Sequence, residues 1–176
     1  ICGNSPTLTY NPGSHRDMSR SEKGSSAPFI EGFFQAEFWS TFRVGKISGA
    51  SQILSYEKDH NEISLSVSHK YENLKKQKLV ERNFKRLNNY LIVETVMKKN
   101  ETYTSNIFFD NLSEVSIHQS SISIHKLDSK INIQLEGCLI DGEIKSIYSD
   151  LHNNNFNYFT IKNYDPVSKF TFSNFD

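Results

Sequence analysis

Apolar and polar residues alternate with a period of two through much of the chain beyond residue 60. Between Glu62 and Tyr71 the positions Ile63, Leu65 and Val67, continued by His69 and Tyr71, interleave with Glu62, Ser64, Ser66, Ser68 and Lys70. Successive side chains of a strand point to opposite faces, so this stretch predicts a strand with one enclosed and one wet face. The same spacing recurs in Val115 with Ile117, Ile122 with Ile124, Ile131 with Ile133 and Leu135, Phe159 with Ile161, and Phe170 with Phe172. Turn-forming pieces separate them: 58–61, Asn88-Asn89, Lys99-Asn100, Asp128-Ser129, Asp141-Gly142 and the asparagines 153–155. About nine to eleven short strands at intervals of roughly 8 to 12 residues, with no long amphipathic helix between them, predict an all-β, antiparallel, hairpin-linked fold. So many strands in one flat sheet would leave exposed edges, so closure into a barrel or a two-sheet sandwich follows. The Cys, Trp, Cys spacing of an immunoglobulin domain is missing, and an up-and-down β-barrel is the expected form.

The pattern fails over residues 1–28, which hold three of the four prolines with many Ser, Gly and Asn. They read as an irregular N-terminal tail, and residues 29–176 as the barrel domain, a length suited to a single core. Phe29, Phe33, Phe34, Phe38, Trp39 and Phe42 open the domain, and the first turn of this run fits a helix.

Composition adds that 36% of residues are hydrophobic, with 13 Phe, 8 Tyr and a single Trp to fill the interior. Twenty basic residues balance twenty acidic ones, which leaves no global field to hold a nucleic acid. No apolar run is long enough to span a bilayer as a helix. The chain begins at Ile1 rather than Met, which is the expectation for a secreted or vacuolar, lumenal protein after removal of a signal peptide. Cys2 and Cys138 form no CxxC pair; a bond between them and two free thiols with Cys138 buried are both open.

Signatures of catalysis are missing: no GxSxG elbow, Gly-rich phosphate loop, HExxH or calcium loop occurs. The six histidines are scattered singly, so no metal site is expected. His69 stands apart because it falls on the apolar face of the clearest strand, next to Tyr71; inside a cavity the two suit haem iron or a polar headgroup, and at the end of the apolar stripe His69 is simply wet. Lys70, Lys75, Lys76, Lys78, Arg82, Lys85 and Arg86 against Glu72 and Glu81 make the one strongly basic stretch, either an anion-attracting mouth or a solvated hairpin. Asn100-Glu101-Thr102 and Asn111-Leu112-Ser113 match the N-glycosylation acceptor pattern.

With these residues in place the chain resembles the lipocalins, secreted eight-stranded barrels that hold small hydrophobic ligands. Phe33 to Phe42 with Trp39 is similar to the family's aromatic-rich entry into its first strand. The stretch 50–67, with Tyr56 late in one strand, is similar to the hairpin that follows, and Tyr90-Leu91-Ile92-Val93-Glu94 to a later wall strand. Glu37 stands where the family has Gly before its Trp, and Lys162-Asn163-Tyr164-Asp165 only partly matches the family's Thr-Asp-Tyr signature. Seventeen asparagines with abundant Lys, Ile and Ser suit an AT-rich genome such as a malaria parasite's.

The resemblance implies a carrier of a lipid, haem or another tetrapyrrole, with no required cofactor and no catalysis, as a monomer or homo-oligomer. Trp39 would close one end with Arg43 beside it on the same strand face. Tyr56, Leu65, Val67, His69, Tyr71 and Tyr90 would line the cavity. Two rivals use the same architecture: a bilin-lyase-like enzyme or chaperone, and a β domain that works through its surface.

Overall fold

The computed structural model describes residues 13–40, 43–47, 49, 51–73, 76–98, 101–127, 129–149 and 152–175; the side chains of 22, 37–40, 43, 44, 46, 174 and 175 also fall outside the description. The alternating segments are strands. A hairpin of β1 (Ala36–Ser40) and β2 (Arg43–Ile47) is followed by four longer strands, β3 (Gln52–Lys58), β4 (Glu62–Glu72), β5 (Gln77–Leu87) and β6 (Tyr90–Val96). Next come β7 (Thr104–Asp110), β8 (Glu114–His118), β9 (Ser121–Lys126), β10 (Ser129–Glu136), β11 (Cys138–Ile140), β12 (Lys145–Ser149), β13 (Asn154–Asn163) and β14 (Val167–Phe175).

Eight of these form one antiparallel sheet in the order β3-β4-β5-β6-β14-β10-β9-β8. It consists of two meanders, β3 to β6 and β8 to β10, joined by β14. In the smaller sheet β13 pairs with β7 along one edge and with β12 and then β11 along the other. The chain therefore passes between sheets four times: before β7, β8, β11 and β14.

The antiparallel all-β expectation holds, and the described strands form no closed barrel. No pairing of β3 with β8 joins the ends of the large sheet among the described residues, and every residue of β3 is exposed. The physical alternative to closure is for a second sheet to cover the apolar face of the first. Val93, Ile122, Ile124, Ile133, Leu135 and Phe170 from the large sheet pack with Ile107, Phe109, Cys138, Phe159 and Ile161 from the small one.

Two further expectations are corrected. The aromatic run starting at Phe29 does not open in a helix: Phe29 bridges Thr104 and Phe34 bridges Glu72 in extended pairings. The helix, α1, is instead Ser14–Arg20, inside the segment read as an irregular tail. Gly24, Pro28 and Ile30 are buried, and Tyr71 donates from its hydroxyl to the Pro28 carbonyl at 2.6 Å, so residues 24–30 belong to the packed body. Ile30, Tyr71, Val80, Met97 and Tyr103 make a second, smaller core there.

Candidate functional site

The register of the large sheet arranges its inward side chains in rows that cross several strands. One row reads Leu65, Phe84, Val93, Phe170, Leu135. The row on one side of it reads Ile63, Arg86, Leu91, Phe172, Ile133, and on the other side come Val67, Arg82, Thr95, Ser168. The small sheet covers the β10 side of these rows. Toward β5 it leaves a groove of about 680 Å³, floored by Phe84, Leu91, Val93, Phe170 and Phe172 and walled by Ile107, Ile131 and residues 25–27, with Arg82 at one end. A second hollow of about 420 Å³ shares Leu91, Ile131 and Phe172 and adds Arg86, Asn88, Asn89, Tyr90 and Ser173, so the two adjoin. Beyond Arg82 the next inward residues are Val80 and Met97, both buried, and neither lines the groove.

Arg82 carries the unusual electrostatics of the site. Its guanidinium carbon lies 5.0 Å from the centre of the Phe84 ring, a cation–π contact made by two residues that share one face of β5. Its Nε has no hydrogen-bond partner, and no described carboxylate forms an ion pair with it. The nearby acids of the strand pair face the other way: Glu94 accepts from Asn83 on the opposite face of the sheet. Burial holds the Arg82 pKa below its ordinary value, against the opposing influence of Tyr103 and Tyr71. An arginine keeps its proton even so, and the result is a poorly solvated cation. In the same row the buried Ser168 hydroxyl bonds to the Tyr103 hydroxyl.

The expected ligand residues are dispersed. Leu65, Val67, His69 and Tyr71 do share the inward face of β4, as the alternation predicts, but Tyr71 is fully buried and bonded to Pro28. His69 Nδ1 pairs with the Ser51 hydroxyl at 2.7 Å. Tyr56 is 59% exposed on the edge strand, and Tyr90 is at the groove mouth. Trp39 belongs to β1 and Arg43 to β2; their side chains lie outside the described residues. Cys138 is a buried free thiol, and Cys2 lies outside the described residues. Asn111 stands exposed in the β7–β8 turn, while Asn100 lies outside the described residues. No group of His, Cys, Asp and Glu suited to a metal occurs among the described residues.

Part of the basic stretch is taken up in ion pairs along the β4–β5 hairpin. Lys70 pairs with Glu72 at 2.8 Å, Lys85 with Glu62 at 2.7 Å and Lys78 with Glu101 at 3.4 Å. The same period of two locates Arg82: Val80, Arg82 and Phe84 are on one face, so the arginine points inward with its apolar neighbours.

No family model matches the chain, and no curated protein matches it in sequence. Among solved structures it is similar to the heparan sulfate lyase HepC from Pedobacter heparinus, with a TM-score of 0.69 and 10% identity over 98% of this chain. A heparinase III gives a TM-score of 0.65 and 11% identity over 98% of the chain. The chain spans 28% of the length of each of these two proteins. The structure of HI1317 is similar over 99% of this chain and 80% of its own, with a TM-score of 0.58 and 8% identity. These likenesses are likenesses of fold.

Proposed function

We propose that this chain is a binding module that holds the apolar part of a small ligand in the groove of its large sheet. The observation that supports this reading is the groove itself: about 680 Å³ of space with a floor of five apolar side chains, at a size usual for small-molecule sites. The ligand class expected from the lipocalin resemblance, a lipid, haem or another hydrophobic molecule, fits a groove between two sheets as well as it fits a barrel interior. The floor is strands on a packed core, a rigid frame on which a site is held ready rather than assembled on binding.

The test is titration with the neutral fluorescent probe N-phenyl-1-naphthylamine. Saturable binding at one probe per chain is expected, with affinity at least about tenfold lower in Leu91→Lys, which puts a charge where both hollows meet. Leu91 is 40% exposed, so the variant keeps its fold. Unsaturable binding, or equal affinity in the variant, overturns the reading.

The comparisons favour a second reading. A fold shared over nearly the whole chain with a little over a quarter of two heparan-sulfate-type lyases suits a module of a larger polysaccharide-acting protein, in which the groove would meet an acidic sugar. Calorimetric titration with heparan sulfate oligosaccharides separates the two readings, because the second requires binding that the neutral probe displaces.

A further inference from the structure

Resting on the groove reading, we propose that Arg82 is an anion anchor and that the groove selects a carboxylate carried on an extended apolar body. An unpaired cation in a partly dry environment is costly, and proteins ordinarily give such a group a carboxylate or a hydrogen-bonding network. Here the guanidinium has the face of Phe84, an Nε without a partner, and no described acid in pairing range. It also lines one end of the groove's apolar floor, so a ligand that fills the floor brings its head to that charge.

The dimensions set the body. Arg82 and Arg86 share the inward face of β5 four residues apart, about 13 Å at the rise of a strand. At about 1.2 Å per bond of an extended chain this corresponds to roughly ten bonds between the anchored head and the mouth. Arg86 is exposed at that mouth, where water already solvates its charge. The discrimination between an acid and a neutral analogue therefore belongs to Arg82.

Calorimetric titration with decanoate and with 1-decanol tests this. Decanoate is expected to bind at one site about ten- to a hundredfold more tightly than decanol, the range of a hydrogen bond to a charged group. Arg82→Met, which keeps the length of the side chain, should bind both alike, and Arg86→Met should keep the preference. Equal binding of acid and alcohol by the unaltered protein overturns the anchor and leaves the groove reading standing. Failure of both to bind overturns both. A preference that disappears with Arg86 instead of Arg82 overturns the assignment, and binding of a glucuronate disaccharide without decanoate overturns the extended body in favour of an acidic sugar.

Discussion

Two titratable side chains respond to burial in opposite senses. Burial pushes the Cys138 thiol up to about 12, against an ordinary value of about 8.5. Between those two pH values the unfolded chain has released the proton and the folded chain has kept it, so stability falls as pH rises through that window. Cys138→Ala should flatten the alkaline limb of a denaturation-midpoint profile. A thiol reagent at neutral pH should modify Cys138 only on unfolding, as a mass shift under denaturant would show. His69 moves the other way: burial, and then the charge of Arg82, lower its pKa. Below about pH 6.5 the unfolded chain binds a proton that the folded chain resists, so this residue contributes stability at neutral pH that is lost on acidification. His69→Gln should remove part of that acid sensitivity. In Arg82→Met the imidazole resonance followed by NMR should titrate at a higher pH than in the unaltered protein.

The crossings between sheets depend on single residues at the level of the elements. Gly137 links β10 to β11 with φ of 68°, and a Cβ there would meet the Val167 carbonyl oxygen at 2.2 Å. Its own carbonyl accepts from the backbone of Tyr164 at 3.0 Å and Asp165 at 3.2 Å, which ties this crossing to the one that leads into β14. Gly137→Ala combines a left-handed backbone with a backbone clash, and a loss of about 2 to 4 kcal/mol is expected in chemical denaturation. Most of the strands were legible because their alternation is strict. Ile122 with Ile124, Ile131 with Ile133, and Phe170 with Phe172 all lie in strands, and the predicted turns at 58–61 and Asn88-Asn89 join β3 to β4 and β5 to β6. Arg82 was legible in principle from its place between Val80 and Phe84, but a count of charge over the whole basic stretch hides a face-by-face difference. The helix at Ser14–Arg20 has no buried residue, hence no apolar stripe that sequence reading could detect.

The choice between barrel and sandwich was not legible, since period two states which side of a strand is apolar and not what covers it. That is decided by partners distant in sequence, above all by β14, which lies between β6 and β10. Phe170 and Phe172 of this strand form the middle of the groove floor, and Val93, Leu91, Leu135 and Ile133 flank them across the ladder. A chain shortened to end at Asp165 should therefore lose its cooperative unfolding transition and its groove together, with both meanders left without their shared neighbour. Calorimetry and probe binding on the shortened chain would check this, and retention of a sharp transition would mean that the two meanders associate without β14.

The position of β14 also sets a timetable. Each meander is built from hairpins between neighbours in sequence and can begin to form while later residues are still being added. The strand that unites them is the last of the fourteen in the described chain, so during synthesis two sheet fragments wait with open edges until it leaves the ribosome. In that interval the β6 edge of one fragment and the β10 edge of the other are open to pairing with neighbouring chains. The order in which the ribosome releases the strands thus makes a chaperone most useful to this protein in the moments before β14 is available.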